Sequence, residues 1–471
     1  MTQVTPERPV AKPGRDSDDT AFFGHPRGLG FIVTAEVGWS FAYYGMVSIL
    51  TLYMTQRLFT PGHMEHIWGF AAYSRVLQTL FGAMTPLALA SQTFGLVTGL
   101  IYATPILGGL LGDRWIGQGR AVMIGLGVLV AGHLALIAEQ SFLIAIALLI
   151  VGGGLVKSNL LGQIGRLYGP DDPRRARAFG IFLIGVNIGG FITPLVVGTL
   201  GEKVGWSQGF MAAAGGMLLA FVAYLAGRRH MPTDEVSAPK VPALGGGGGL
   251  NRRELAVILA LLAVLVTEVL NIGSYNQAFN LFPVWASQHV NRTLFGFQMP
   301  VTWFSALDGV LTIVATLLAV GFWGWQSSRG REPRETTRIA IGCAMTTAGF
   351  LVLAMASALS GAGKVPLLAP IAFFVLVDGA LPWVDTVMMA LISRAAPARL
   401  TTTLLGVYYL SFAVGNFLVG WLGRTYETLA PAHFWGLHAA IAGSAVVFLM
   451  VMGSRLNRVL DSDARPLGGT Q

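Results

Sequence analysis

Charge is scarce in this sequence. Asp, Glu, Lys and Arg make up 11% of its 471 residues, against about a quarter in an ordinary soluble domain. With 54% hydrophobic residues at that length, the soluble globular class is excluded and a membrane protein is implied. Cysteine is almost missing. The single one, Cys343, excludes a disulfide framework and a cysteine-based metal cage, and its apolar surroundings predict a small buried side chain. No nucleophile, base and orienting group recur at catalytic spacing, and no metal-ligand cluster is found. The sequence therefore predicts no enzyme, no catalytic residue, no cofactor and no metal. His63, Glu65 and His66 read as an exposed loop face rather than a zinc site. No cleavable leader is read either. The first 24 residues are polar, mix both charges and carry three prolines, which predicts a disordered tail.

What is present is a series of long apolar runs. A spanning helix needs about 20 apolar residues, and twelve segments qualify: about 29–57, 93–112, 120–138, 142–165, 177–199, 208–228, 253–286, 300–325, 337–359, 366–393, 401–423 and 432–453. The stretch 62–91 is expected to be a long loop with an amphipathic helix. The net charge of +8 does not point to nucleic acid, because the basic residues sit in short clusters between apolar runs. With both termini inside, the outer loops hold only Arg57, Arg75, Lys203, Arg292, Lys364 and Arg424. That bias predicts cytoplasmic termini. A Pro- and Gly-rich stretch ending in five glycines, 229–251, reads as a flexible linker.

The expected organisation is thus a tail (1–24), an N-terminal six-helix bundle (25–228), the linker (229–251), a C-terminal six-helix bundle (252–455) and a second tail (456–471). The fold class is an all-α polytopic membrane protein of the major facilitator type, where solutes bind near the midplane between the halves. A multi-pass protein of a bacterial inner membrane, monomeric in the lipid bilayer, is the expectation.

Ionisable side chains inside spans are costly and point to function. Glu36, Lys157, Glu268, Asp308, Asp378 and Asp385 lie in spans. Glu36 shares a helix face with Ser40, Tyr43 and Tyr44; it is either half of a structural ion pair, with Lys157, or part of a gate. Lys157 follows Gly152, Gly153 and Gly154, whose lack of side chains admits a neighbouring helix; it contacts substrate, couples, or completes a fixed pair. Asn187, between Gly185 and Gly189, hydrogen-bonds substrate or staples helices. The seventh span carries Glu268, Asn271, Tyr275, Asn276, Gln277 and Asn280, too polar a set to face lipid. Glu268 lies toward the cytoplasmic end, as a gate residue would. Asp378 and Asp385 flank Pro382, which must kink the tenth span. A buried carboxylate titrates with its surroundings, so these acids are candidates for binding protons.

Taken in order, several stretches resemble the proton-dependent oligopeptide transporter family of the major facilitator superfamily. "GHPRGLGFIVTAEVGWSFAYYGM" is similar to its first span, "YATPILGGLLGDRWIGQGR" to its second span and the following loop, "GGGLVKSNLLGQIGRLYGPDD" to its fourth, "FLIGVNIGGF" to its fifth and "AAPARLTTTLLGVYYLSFAVGNFLVG" to its eleventh. The family's first span carries Glu-x-x-Glu-Arg-Phe-x-Tyr-Tyr. Here the frame reads Glu36, Trp39, Ser40, Phe41, Tyr43 and Tyr44, so the second glutamate and the arginine are gone. A further arginine is replaced by Val47, the seventh-span glutamate by Asn276, the eighth-span asparagine by Asp308 and the fifth-span tyrosine by Leu183. Asp378 lies within about a turn of the tenth-span glutamate.

The resemblance implies proton-coupled uptake of di- or tripeptides, or of peptide-like compounds, by alternating access. Its substrate-contacting residues would be Tyr43, Tyr44, Lys157, Asn187, Asn276, Asp308, Asp378 and Trp383. Its proton-coupling residues would be Glu36, Lys157, Asp308 and Asp378. The lost guanidiniums remove bidentate carboxylate recognition, which a lysine does not reproduce, so the site looks rebuilt for less zwitterionic or more aromatic solutes. Two rival expectations stand beside this one. The chain exports or facilitates a different small molecule without conventional proton coupling, or it is a non-transporting sensor or partner subunit.

Overall fold

Apolar segments of this length become helices because hydrocarbon offers backbone N–H and C=O groups no partner. In the computed structural model, the described residues are 19–169, 172–234, 250–397 and 399–461. Most of the expected tails (1–18 and 462–471) and the centre of the expected linker (235–249) lie outside them.

The first half holds six long helices. They are Arg27–Tyr53 with a π turn at Met54–Leu58, Pro86–Leu111 with a π turn at Gly112–Ile116, Gln118–Ala135, Phe142–Arg166, Arg174–Thr193 running through a π turn at Pro194–Gly198 into Thr199–Lys203, and Trp206–Gly227. The second half holds Arg252–Tyr275, Trp303–Ser327, Glu335–Ser360, Leu368–Leu381 running through a π turn at Pro382–Thr386 into Val387–Ala395, Thr401–Leu422 and Pro431–Leu460. These are the first to twelfth spans below.

Eleven spans are long and apolar enough to cross a membrane by composition. The first is not among them, because Glu36, Trp39, Ser40, Tyr43 and Tyr44 lower its mean hydropathy. It can carry them because it is buried along most of its length, against the fifth and sixth spans. Gly189 makes part of that contact: a Cβ there would sit 2.7 Å from Ser40 Cβ and 2.9 Å from Phe41 N.

Two boundaries differ from the sequence reading. The second span begins at Pro86 rather than near 93, because Thr85 caps it and accepts from Ala88 N. The seventh expected segment, 253–286, is two helices. The first ends at Tyr275, a 3-10 turn follows over Asn276–Ala278, and a short helix runs over Leu281–His289. Pro283 explains the break, since its ring would clash with the carbonyl of Phe279 in a continuous helix. A two-residue hairpin, Thr293–Leu294 with Phe297–Gln298, then turns through Phe295 and Gly296, both at positive φ. The stretch after the first span contains the helix Phe70–Phe81, bounded by Gly69 and Gly82 at positive φ.

The halves are joined unevenly. Side-chain hydrogen bonds between them, among the described residues, gather toward the end remote from the termini. Glu202 of the fifth span accepts from Val301 N (2.9 Å), Thr302 N (2.9 Å) and Thr302 Oγ1 (2.8 Å), with Arg292 Nη1 at 4.0 Å. Trp303 Nε1 donates to Thr199 Oγ1 at 2.8 Å. Asn280 Nδ2 donates to Ser91 Oγ at 2.7 Å, and Thr51 Oγ1 donates to Asn280 Oδ1 at 3.1 Å. Glu427 accepts from Thr85, and Arg424 reaches Phe81 O. The innermost such bond is Thr98 Oγ1 to Asn416 Oδ1 at 2.9 Å.

Candidate functional site

Just inside that fastened end lies a cavity of about 190 Å³. Seven spans line it: Tyr43, Tyr44 and Val47 from the first, Phe94, Thr98 and Tyr102 from the second, Asn187 from the fifth, Ile272, Tyr275 and Asn276 from the seventh, Asp308 and Thr312 from the eighth, Leu381 and Asp385 from the tenth, and Phe412 and Asn416 from the eleventh. Both halves therefore contribute to one wall.

The sequence candidates divide by position. Tyr43, Tyr44, Asn187, Asn276 and Asp308 line the cavity. Asp378 is fully buried behind it and joins it through Tyr275, whose hydroxyl lies 2.5 Å from Asp308 Oδ1 and 3.2 Å from Asp378 Oδ1. Asp308 and Asp378 thus share the Tyr275 hydroxyl and lie close enough to interact. Glu268 and Asp385 likewise lie close enough to interact, and neither oxygen of Glu268 has a donor among the described residues.

Trp383 stands apart. It packs edge-on to Trp323 with centroids 5.5 Å apart, and it lines a separate apolar groove between the eighth, ninth and tenth spans. The π turn that begins at Pro382 rotates Asp385 toward the cavity and Trp383 away from it.

Glu36 and Lys157 lie close enough for their charges to interact, but no direct ion pair joins them among the described residues. Glu36 accepts from Ser40 Oγ at 3.2 Å. Lys157 Nζ sits 4.6 Å from the Tyr102 ring centroid and 5.6 Å from that of Trp39, a cation–π cradle. It lines an adjoining space with Tyr102 and Tyr409, so Tyr102 separates it from the cavity. Trp39 in turn stacks on Tyr43, centroids 5.3 Å apart with the rings 2° from parallel. In the frame of the resemblance Trp39 stands where the family's second glutamate would be, and Ser40 beside it where the arginine would be.

Close helix packing brings Lys157 there. A Cβ on Gly154 would meet Thr104 Cβ at 2.7 Å, and one on Gly152 would meet Leu129 Cγ at 2.7 Å. The run of glycines therefore admits the second span on one side and the third on the other. Asn159 Nδ2 donates to Gly108 O at 2.9 Å and fastens the second span to the fourth.

Reasoning from sequence did not single out Tyr102, Thr98, Phe412 or Asn416. Asn416 accepts from Asn276 Nδ2 at 3.0 Å as well as from Thr98, and so bridges the halves at the cavity's rim. Its only signal was an amide within the eleventh span.

The family profile described as POT family matches residues 119–242 and 251–435. Similar proteins include an uncharacterized transporter, YclF, of Bacillus subtilis (strain 168), 26% identical, covering 93% of this chain and 96% of that protein. The peptide transporter YePEPT of Yersinia enterocolitica is 25% identical, covering 92% and 94%. A di-/tripeptide transporter of Lactococcus lactis subsp. cremoris is 24% identical, covering 92% and 96%. Among solved structures, a peptide transporter POT in complex with sulfate has a TM-score of 0.81 at 24% identity, covering 93% of this chain and 97% of that one. These structural likenesses speak to the fold.

Proposed function

The chain belongs to the POT family and has its major facilitator fold, and on that premise we propose that it carries di- or tripeptides, or peptide-like compounds, across a bacterial inner membrane by alternating access coupled to protons. The observation that supports this best is the cavity between the halves with Asp308 and Asp385 on its wall and a second buried carboxyl, Asp378 and Glu268 respectively, behind each. Two ionised carboxylates carry no hydrogen to share; a hydrogen bond between them needs a proton, as in other carboxyl dyads. Binding and release of that proton would change the charge of the wall that meets the substrate.

The halves 25–228 and 252–455 would be the moving units, with the crevice reversing around the cavity. The positive charge near the termini supports a cytoplasmic face there, so the arrangement described above would be closed to the outside. Asp308, Tyr43, Tyr44, Asn187 and Asn276 would meet substrate. Glu36 with Lys157, and Asp308 with Asp378, would link substrate to protons.

Reconstituted protein should accumulate a labelled di- or tripeptide when an inward proton gradient is imposed, and the accumulation should collapse with a protonophore. Peptide flux indifferent to the gradient would favour the facilitator reading, which the missing first-span arginines support. Glu36→Gln should abolish accumulation while sparing peptide exchange across the vesicle membrane; persistent accumulation would mean that the proton passes elsewhere.

Glu202 offers a separate test of alternating access. Hydrogen bonds to a charged group contribute about 1.5–3 kcal/mol each, and its carboxylate accepts three. Glu202→Ala should raise the population open at that end. Spin labels at Val204 and Phe295, both exposed, should then show a longer distance component than in the parent protein. An unchanged distance distribution would remove Glu202 from the gate.

A further inference from the structure

A second concavity lies away from the crevice, on the outer surface of the C-terminal bundle. It has a volume of about 440 Å³ and is walled by Val314, Leu318 and Phe322 of the eighth span, Met345 of the ninth, and Val375 and Trp383 of the tenth. None of its lining side chains is ionisable. Val314, Leu318, Phe322 and Val375 are exposed, so in a bilayer the groove meets acyl chains. Along the eighth span it covers residues 311–322, about 16 Å at the helical rise. That is close to the depth of one leaflet in a hydrocarbon core about 30 Å thick.

The same helix face continues beyond the groove. Phe322 lies against Trp383, with ring centroids 5.9 Å apart, and stacks on Trp325 at 5.7 Å. The Arg329 guanidinium then sits 4.3 Å from the Trp325 ring centroid. Residues three and four apart share a helix face, and tryptophan favours the level where acyl chains give way to headgroups. The eighth span starts at Trp303, at the fastened end, so these arginines lie at the end that carries the termini. Gly330, at φ 62°, stops the helix there: its N–H donates to Ser327 O, and Arg331 N donates to Gln326 O. Arg329 and Arg331 flank that stop. Both are exposed, and neither meets a carboxylate among the described residues. Neighbouring arginines are paired: Arg334 faces Asp461, Arg338 holds Glu332, and Arg394 holds Glu335 and Asp461.

An apolar groove one leaflet deep thus leads to two uncompensated guanidiniums. A phospholipid has the matching pattern, with a fatty chain for the groove and a phosphate for the arginines, whose paired N–H donors suit phosphate oxygens. We propose that this groove is a binding site for one anionic phospholipid of the leaflet on the side of the termini. Its acyl chain lies between the eighth and tenth spans, and its phosphate rests on Arg329 and Arg331. The chain packs on Trp383, two residues before Asp385, and so backs the π turn that aims Asp385 at the cavity between the halves. The site is independent of what that cavity carries.

The test is native mass spectrometry of the purified, delipidated full-length protein, titrated with dioleoyl phosphatidylglycerol or dioleoyl phosphatidylcholine. The first phosphatidylglycerol should bind at least about fivefold tighter than the first phosphatidylcholine. Arg329→Ala combined with Arg331→Ala should erase that preference. Removing two exposed arginines of the twelfth span at the same end, Arg455→Ala with Arg458→Ala, should leave it intact. Ala315→Trp, which fills the groove, should weaken phosphatidylglycerol by about fivefold. On the unaltered protein, a phosphatidylglycerol with a photoreactive group in its chain should cross-link within residues 311–325 or 375–383. That measurement keeps the location testable if a variant folds poorly. Equal affinity for the two lipids would overturn the inference and leave a seat for any lipid or detergent. So would a preference that survives the loss of Arg329 and Arg331, or one lost equally with Arg455 and Arg458. Unchanged binding to the Ala315→Trp protein, or cross-links confined to other spans, would overturn it as well.

Discussion

Asp378→Asn should leave the protein folded and able to exchange peptide, yet unable to accumulate it against a gradient. Asparagine has the same shape as aspartate. Its amide NH₂ can donate to Asp308 permanently, as the carboxyl does only when protonated. The substitution would therefore freeze the pair in one protonation state. Asp378 does not line the cavity, so substrate contacts survive. A charge-assisted hydrogen bond of about 1.5–3 kcal/mol corresponds to roughly a ten- to hundredfold effect, and accumulation ratios under an imposed gradient should fall by about that much. Counterflow with saturating unlabelled peptide supplies the contrast. Wild-type accumulation by this variant would remove the Asp308–Asp378 pair from coupling. Loss of counterflow together with accumulation would recast Asp378 as structural.

Among the described glycines, Gly108→Ala should be the most damaging addition of a methyl group. At that position a Cβ would collide with the carbonyl of Gly154, with Leu155 N only 2.9 Å away. Those are backbone atoms of the fourth span, which cannot rotate aside as a side chain could. Overpacking generally costs about 1–3 kcal/mol and sometimes more, and a backbone collision belongs at the upper end. The variant should purify in low yield and unfold at a clearly lower temperature than the parent in the same detergent. Gly215→Ala is the matched control. Nothing lies within 4 Å of a Cβ there, and alanine favours a helix by about 1 kcal/mol over glycine. Equal melting temperatures for the two variants would refute the close approach of the second and fourth spans.

The twelve-helix plan was readable from the sequence because each span had to satisfy its backbone internally, which leaves a long apolar run as its trace. The cavity acids were readable for the complementary reason. Asp308 and Asp385 are too costly in hydrocarbon to occur without a polar setting. Neutral partners leave no such trace. Tyr102 and Asn416 resemble many interior residues until the second and eleventh spans are packed together. Trp383 shows the opposite limit. It adjoins a proline kink between two acids, and a π turn decides which of these neighbours faces inward; spacing alone does not reveal that rotation. Glu202 was passed over because a carboxylate at a helix end is ordinarily solvated. Only the tertiary structure brings the start of the eighth span to it.

That uneven seam between the halves has a kinetic consequence. The fastenings at the remote end include Glu202, Arg292, Arg424 and Glu427, of which Glu427 is exposed and the others partly so. Attractions there are screened by mobile ions over about 8 Å at physiological ionic strength, while the deep carboxyls are shielded from such screening. On the proposed alternating access, the medium bathing that side of the membrane would set how long the molecule dwells in this posture, and the buried acids would set what it carries when it turns over.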